Sequence, residues 1–332
     1  MSEWSPIIRS AESRRNSETV HLLDTPQQWP ATQTSPETGK LAVVTCSANG
    51  LGLDIAAALA HAGADVILTG RQLTDGHEAL ASIRELAPNS LVRFERLDLT
   101  SQASVVDFSS RLNRAGRPID LLVNNACTLA LLNRQITPDG FELHLATNYL
   151  SHFALTAHLL PLLRASKQPR VVQVTSTGRH HGEIHLDDLH FERGFTPLKA
   201  YSQSKLAMLI FAHELQRRSD AYGWGLRCAA AQPIGARAAL IANSIEVTGS
   251  IGWYRRALGF TPNESVRGAL HSLLTPDAPG APIAESSSAK SLIDVIGPPV
   301  PEALDMRVYD PAMASALWET SSKLTRVEWP TA

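Results

Sequence analysis

Short apolar runs alternate with longer amphipathic stretches from Leu41 onward. The runs predict strands at 41–45, 65–69, 91–97, 119–124, 170–175 and 226–231, with a seventh candidate at 291–295. The stretches between them predict helices at 53–62, from the second strand to about 87, near 103–113, at 139–164 and from 201 to about 218. Apolar strands separated by helices are typical of a parallel sheet covered on both faces. We therefore predict one α/β domain over 41–325, built on a doubly wound sheet of about seven strands.

The two ends of the chain differ from this pattern. Residues 1–40 are polar, rich in Ser, Thr, Glu and Pro, and without sustained periodicity, so we predict a flexible or loosely docked arm. Residues 326–332 are predicted to form a C-terminal tail.

Composition narrows the function classes. The 332 residues are 44% hydrophobic and 19% charged, with a formal net charge of −2, which is ordinary for a globular protein. This charge gives no reason to expect nucleic acid or an anionic membrane as a partner. No apolar run reaches the ~20 residues that a membrane span needs, and the N-terminus lacks the apolar core of a secretory signal. Three scattered cysteines make no disulfide framework, so we expect a cytoplasmic protein.

Candidate chemistry lies in the helix that begins near Tyr201. Tyr201 and Lys205 are four residues apart, which places both side chains on one helix face. A neighbouring ammonium favours the phenolate, so Lys205 is predicted to lower the Tyr201 pKa towards the range useful for proton transfer. The alternative is a surface tyrosine beside a solvated lysine.

A glycine-containing loop, Thr45–Gly52, separates the first strand from the first helix. A dinucleotide pyrophosphate meets a helix N-terminus at this place in doubly wound sheets. Gly50 and Gly52 would allow close approach of phosphates, although an ordinary glycine-rich turn is the alternative.

The motifs together identify a resemblance to the short-chain dehydrogenase/reductase family over roughly 41–325. That family's signature is Thr-Gly-x-x-x-Gly-x-Gly, Asn-Asn-Ala-Gly after the fourth strand, and a Ser-Tyr-x-x-x-Lys active site. The matching residues are Thr45, Gly50, Gly52, Asn124, Asn125, Ala126, Asn148, Ser176, Tyr201 and Lys205. Within the family the chain is most similar to the retinol-dehydrogenase-like and WW-domain-oxidoreductase-like branch, through motifs such as Leu68–Arg71 and Tyr201–Ala207. The resemblance implies a Rossmann-type fold.

The resemblance also implies the catalytic roles. Tyr201 would exchange a proton with the substrate oxygen, and Ser176 would stabilise charge on that oxygen. Lys205 would hold the nicotinamide ribose, and Asn148 would position a water in the proton relay. We therefore expect reduction of a ketone or aldehyde, or the reverse alcohol oxidation.

The cofactor is predicted to be NADP(H). Arg71 follows the second strand, where an acid would select NAD and an arginine accommodates the 2′-phosphate of NADP. A solvated arginine is the alternative. The further cofactor contacts implied by the resemblance are Thr45, Ser47, Asn49, Gly50, Leu51, Asp98, Leu99, Asn125, Ala126, Tyr201, Lys205, Pro233 and Gly235.

Three positions depart from the family pattern. Cys46 and Cys127 replace two of its glycines, and Ile234 interrupts its Pro-Gly. Cys46 puts cofactor affinity in doubt, and the two cysteines are either space-filling or a redox-sensitive pair. The histidines at 180, 181, 185 and 190 fit no compact zinc spacing, so we predict no metal.

The segment 234–262 is predicted to be the substrate lid, and its apolar and aromatic residues favour a lipophilic or bulky substrate. A homo-oligomer is compatible with the resemblance. Two alternatives to the reductase stay open. One is a cofactor-binding regulatory or scaffold protein with little turnover, and the other is a dehydratase, epimerase or alkene reductase on the same fold.

Overall fold

The computed structural model describes residues 37–48, 50–128, 133–231 and 310–331. Its strands are β1 Leu41–Val44, β2 Asp65–Gly70, β3 Val92–Arg96, β4 Leu121–Asn124, β5 Arg170–Val174 and β6 Arg227–Ala231. All neighbouring strands pair in parallel, in the order β3-β2-β1-β4-β5-β6. Every residue of β1, β4 and β5 is buried, which explains why these strands are continuous apolar runs.

Helices connect and cover the strands. They are α1 Gly50–His61, α2 Leu73–Leu86, α3 Gln102–Ala115, α4 Ser151–Arg164, α5 Pro197–Tyr222 and α6 Pro311–Thr325. Local chemistry sets the ends of α5: the Thr196 side chain accepts the Lys199 N–H, Pro197 occupies the first turn, and Gly223 ends the helix in a left-handed conformation with φ 63°.

The predicted α/β fold with a parallel sheet is confirmed. The described sheet has six strands rather than about seven, and the seventh candidate at 291–295 lies outside the described residues. The lid at 234–262 and nearly all of the arm at 1–40 also lie outside them.

The predicted start of the fourth helix at Asp139 is wrong. Gly140 has φ 85° and lies in a turn closed by a bridge between Ile136 and Glu142. The chain then enters a π-helical segment, Leu145–Leu150, which continues into α4. The left-handed glycine therefore delays the helix.

An aromatic cluster attaches α6 to the two helices beneath it. Trp318 lies 5.0 Å from Phe153 of α4 and 5.8 Å from Phe211 of α5, measured between ring centroids. The Trp329 ring lies 4.5 Å from Trp318 with the planes tilted by 45°, and the Arg218 guanidinium lies 4.4 Å over the Trp318 ring. Within the described residues, no helix is both long and apolar enough to cross a bilayer.

Candidate active site

Three parallel strands and one helix bring the predicted site residues to one edge of the sheet. Thr45 follows β1, Asn125 follows β4 and Ser176 follows β5, while α5 brings Tyr201 and Lys205. The strand order reverses between β1 and β4, and ligands of doubly wound sheets bind outside the carboxyl ends of strands at such a point.

Ser176 and Tyr201 are buried together. Ser176 is 1% exposed and Tyr201 is 2% exposed, and a hydrogen bond joins their side chains. The Ser176 hydroxyl also accepts the Gly178 N–H at 3.2 Å. Gly178 lies so close to the tyrosine that an added Cβ would be 2.8 Å from Cε1 of Tyr201. The absence of a side chain at position 178 therefore lets the phenol approach Ser176.

Lys205 lies next to Tyr201, and its side chain is fully buried. Its Nζ is 6.0 Å from the centroid of the Tyr201 ring and donates a hydrogen bond to the Val174 carbonyl at 3.0 Å. Spacing alone had left a solvated lysine open, and the structure excludes it.

The predicted lowering of the Tyr201 pKa is wrong for this structure. Burial raises the pKa of Tyr201 well above its ordinary value, the Cys127 thiol adds to this increase, and the hydrogen bond from Ser176 opposes it. The physical reason is that the phenolate would lose its hydration in the buried site. The phenol therefore stays protonated at neutral pH, which suits a proton donor.

Asn148 lies in the π-helical segment, and its side chain joins two parts of the site. Its Oδ1 accepts the Thr128 N–H at 2.7 Å, and its Nδ2 donates to the Ser204 hydroxyl at 2.9 Å. It thus links the segment after β4 to α5. The water that Asn148 is predicted to position remains a prediction.

Thr45 and His152 form a buried junction that the sequence analysis missed. The Thr45 hydroxyl accepts the N–H groups of Asn125 and Ala126 at 2.8 and 2.9 Å, and it lies 2.9 Å from Nε2 of His152. Nδ1 of His152 is 2.8 Å from the Asn148 carbonyl, which only accepts, so Nδ1 carries the proton and Nε2 accepts from Thr45. The junction connects the cofactor loop to the segment that carries Asn148.

His152 is neutral at pH 7. Burial lowers its pKa to about 4, the hydrogen bond to the Asn148 carbonyl opposes this, and the positive charge of Lys205 adds to it. Asn148 and His152 are four residues apart, so their side chains are expected on one helix face. This spacing is the signal in the sequence from which their proximity could have been predicted.

The loop between β1 and α1 is fixed mainly by the sheet. The Ser47 hydroxyl donates to the Val44 carbonyl and accepts the Thr69 N–H, each at 2.9 Å, so it faces the strands. A Cβ on Gly52 would lie 2.3 Å from the Cys46 carbonyl oxygen, so close packing requires this glycine. Gly50 begins α1 with φ 56° and open space around it, and Leu51 follows it, half-buried. Asn49 lies outside the described residues.

The end of the site that is predicted to bind adenosine is more exposed than the end that holds Ser176 and Tyr201. Arg71 is exposed directly after β2, and its role towards the cofactor stays a prediction. Asp98 follows β3, and its Oδ1 accepts both the N–H and the hydroxyl of Thr100. Leu99 is buried, and its carbonyl accepts the Ser151 hydroxyl at 2.7 Å. Pro233 and Gly235, like Ile234, lie outside the described residues.

The two glycine replacements occupy different environments. Cys46 has φ 52°, a left-handed conformation that is uncommon for residues with a side chain. Although the residue is exposed as a whole, partial burial of the thiol raises the pKa of Cys46, Cys127 adds to the increase, and Arg71 opposes it. Cys127 is half-buried and hydrogen-bonds the Tyr201 side chain. Both thiols are free, and the redox pair remains a prediction.

The histidines after Ser176 make other contacts. His190 stacks on Phe141 with centroids 5.7 Å apart, and His185 lies edge-on to Phe191 at 5.4 Å. In the part of the chain that the structure describes, no group of three or more His, Cys, Asp or Glu side chains could hold a metal ion.

Comparison with known proteins gives consistent matches. The sequence profile described as short chain dehydrogenase matches residues 40–246. Retinol dehydrogenase 13 of Homo sapiens is 32% identical over 313 residues, which are 91% of this chain and 88% of the human protein. A solved structure of an uncharacterized protein from Mycobacterium paratuberculosis has a TM-score of 0.74 and 33% identity, covering 91% of this chain and 99% of that one.

Polyprenol dehydrogenase of Mus musculus is 43% identical over 192 residues, which are 57% of this chain and 57% of the mouse protein. The match thus spans little more than half the length of that relative.

Proposed function

Because this chain belongs to the short-chain dehydrogenase/reductase family, we propose that it is an NADP(H)-dependent oxidoreductase that interconverts a lipophilic carbonyl compound and its alcohol. The observation that carries the proposal is the burial of Ser176, Tyr201 and Lys205 together at the carboxyl edge of the sheet. Burying a lysine and a tyrosine hydroxyl is costly unless the groups have partners. The burial of these polar groups in one site therefore supports a functional role for them.

The residues present fit a dinucleotide. Gly50 opens α1 with nothing within 4 Å of the place where a Cβ would be, so phosphates could approach the helix N-terminus there. The Ser47 hydroxyl faces the sheet, so in the described part of this loop the backbone N–H groups are the candidate phosphate donors. Asn125 and Ala126 are fixed by Thr45 beside it.

Nicotinamide, when bound, supplies the hydride in reduction and accepts it in oxidation. The chain's own residues handle the oxygen and the proton. Tyr201 donates its phenolic proton to the developing alkoxide, and the Ser176 hydroxyl donates a hydrogen bond to the same oxygen. Lys205 supplies positive charge below the phenol, which offsets the phenolate left after proton donation.

Arg71 supports a preference for NADP(H). It is exposed at the end of β2 and directly follows Gly70, so no acid occupies the position that would bind a ribose 2′-hydroxyl. A planar guanidinium matches a phosphate through paired hydrogen bonds.

The lipophilic substrate is supported by relatives whose names refer to polyprenol and retinol, which are both long apolar alcohols. The apolar composition of 234–262 points the same way. A cytoplasmic location and a homo-oligomer stay predictions.

One observation favours the regulatory or scaffold alternative. Cys46 occupies a left-handed conformation in the predicted phosphate loop, where a residue with a side chain is strained. Weak binding of both dinucleotides would therefore favour that alternative. A dehydratase, epimerase or alkene reductase would be recognised by its product.

The test is a parallel fluorescence titration with NADPH and NADH, followed by reduction assays on retinal, a polyprenal and short aldehydes. We expect NADPH to bind at least tenfold more tightly than NADH, and the long apolar aldehydes to be reduced. Arg71→Ser should remove most of the preference for NADPH while leaving NADH binding within about twofold. Equal binding of the two dinucleotides by the wild type would contradict the role of Arg71, and NADPH binding without reduction of any carbonyl would contradict the oxidoreductase.

A further inference from the structure

A buried acid–histidine pair, Glu142 and His144, lies just before the π-helical segment. Glu142 is 1% exposed and His144 is fully buried. Oε1 of Glu142 is 2.6 Å from Nδ1 of His144 and also accepts the His144 N–H at 3.0 Å. Oε2 accepts the Leu145 N–H at 2.8 Å. The carboxylate therefore satisfies two donors at the start of the helix and fixes the imidazole at the same time.

The hydrogen bonds define how the imidazole is fixed. A carboxylate only accepts, so Nδ1 of His144 carries the proton that points at Glu142. Nε2 is buried and has no hydrogen-bond partner among the described residues. Among the described residues, the hydrogen bond to Glu142 is thus the one polar contact that orients this ring. The ring otherwise packs as an aromatic side chain.

The ring that Glu142 fixes packs against the proposed proton donor. The His144 and Tyr201 rings have centroids 6.5 Å apart and planes at 84°, the edge-to-face arrangement that aromatic pairs prefer. Gly178 contacts the Cε1 side of the same tyrosine. These two contacts on the ring add to the hydrogen bonds that Ser176 and Cys127 make with the phenol. The His144 contact differs from the others because the His144 ring is itself oriented by a carboxylate.

Glu142 also joins a second segment to this arrangement. Its N–H donates to Nδ1 of His190 at 3.3 Å, and His190 stacks on Phe141. Glu142 thus contacts the segment after β5 and the helix that carries Asn148. The orientation of His144 therefore depends on both the segment after β5 and the helix that carries Asn148.

We propose that His144, oriented by Glu142, is a positioning residue that sets the direction of the Tyr201 phenol towards Ser176. The inference rests on the proposed function, because it concerns the orientation of the proposed proton donor. Productive geometry at a reacting centre is sensitive to displacements of about 1 Å. His144 acts through Tyr201 and need not contact the substrate.

Two substitutions separate the ring contact from the hydrogen bond. His144→Phe keeps an aromatic ring beside Tyr201 and loses only the bond from Nδ1 to Glu142, because Nε2 has no partner to lose among the described residues. His144→Asn keeps an N–H near the place of Nδ1 and removes the ring. If the role of His144 is purely structural, the variant with the lower Tm should also have the lower kcat. If the ring positions Tyr201, the variant that loses the ring should have the lower kcat although it keeps the higher Tm.

We expect His144→Asn to lower kcat about tenfold with KM for NADPH and for the carbonyl within twofold, and to keep Tm within about 2 °C. His144→Phe should keep kcat within threefold although its Tm falls by about 4 °C, since the carboxylate loses a charge-assisted bond. His158→Phe, which replaces a half-buried histidine on α4, is the matched control and should keep kcat. A kcat that falls further in His144→Phe than in His144→Asn, or an unchanged kcat in His144→Asn, would overturn the proposal.

A second readout needs no substrate. The chain has 5 tyrosines, so ¹³Cζ-tyrosine labelling gives few resonances, and Tyr201→Phe assigns the one of interest. The Tyr201 resonance should shift and broaden in His144→Asn and stay near its wild-type position in His144→Phe. If the wild type reduces no carbonyl but the resonance behaves in this way, the proposed function fails and the positioning role stands. A Tyr201 resonance unchanged in His144→Asn contradicts the positioning role whatever the activity.

Discussion

The two halves of the candidate site, the proposed catalytic face of α5 and the loop between β1 and α1, are positioned by different means. On α5 every residue from Ala200 to Ala212 is buried, and Tyr201 and Lys205 keep the pattern expected from the sequence. In the loop, Cys46 is exposed, has φ 52° and replaces an expected glycine. The proposed catalytic residues on α5 are thus fixed mainly by packing, whereas the loop depends on a few hydrogen bonds.

Thr45 shows how the loop keeps its shape despite the cysteine. Its hydroxyl binds two N–H groups after β4 and the neutral His152, so three elements converge on one side chain. Each such buried hydrogen bond contributes about 1 kcal/mol. A loop can thus tolerate an unfavourable residue when the neighbouring residue is hydrogen-bonded to the rest of the fold.

The largest effect is expected from Tyr201→Phe on the catalytic face. The substitution keeps the ring and removes the proton donor, so kcat should fall about 10³-fold. Carbonyl reduction under saturating NADPH measures the loss. Tyr222→Phe, near the end of the same helix, is the matched control and should keep full activity. More than a tenth of wild-type kcat in Tyr201→Phe would show that another group donates the proton.

His152, which connects the loop to the segment that carries Asn148, should make stability depend on pH. Its pKa is lowered from 6.5 to about 4 on folding, so the unfolded chain binds the proton first. The stabilising contribution is complete above pH 6.5 and is lost as the pH falls towards 4. Between pH 7 and pH 4.5 the loss should be about 2 kcal/mol of unfolding free energy.

Urea unfolding at several pH values measures this contribution. His152→Asn should show a shallower decline with acid, because asparagine does not titrate. His158→Asn removes a half-buried histidine elsewhere on α4 and should keep most of the decline. Equal slopes in the wild type and in His152→Asn would contradict the account.

Gly178→Ala should affect catalysis more than stability. The new Cβ would lie 2.8 Å from Cε1 of Tyr201, so the ring must move away from its place beside Ser176. We expect kcat to fall about tenfold, since small displacements of a reacting group are costly. Gly223→Ala strains the left-handed end of α5 and should lower Tm without lowering kcat. A wild-type kcat in Gly178→Ala would show that the ring tolerates the contact.

The smallest effect should come from Cys46→Gly in the loop. Glycine adopts a positive φ without strain, so NADPH should bind about threefold more tightly. Cys46→Ala removes the thiol and keeps the strain, which makes it the matched comparison. If alanine improves binding as much as glycine does, the side chain matters and the backbone conformation does not.

Much of the fold was predictable because it depends on local pattern. The apolar runs placed six strands within about two residues of their observed ends, since buried parallel strands leave continuous apolar sequence. Ser176, Tyr201 and Lys205 were predictable because their spacing is a motif. The C-terminal helix α6 was missed, although Asp310 and Pro311 form a recognisable helix start.

The remainder depends on contacts between distant residues. The bond from Thr45 to His152 spans 107 positions, and nothing local in either segment indicates it. The pKa of Tyr201 was predicted in the wrong direction because spacing reveals Lys205 but not the burial of the phenol or the nearby Cys127 thiol. The direction of such a shift is set by surroundings that only the folded chain brings together.

The central claim is that Tyr201 and Ser176 serve a hydride transfer from NADPH to a carbonyl. The most direct measurement is to supply NADPH carrying deuterium at the transferable position, incubate it with retinal and analyse the product by mass spectrometry. The account predicts retinol with one deuterium on the former carbonyl carbon in the wild type, and at least 10³-fold less of it with Tyr201→Phe. A product without deuterium, or equal labelling by the two proteins, would contradict it.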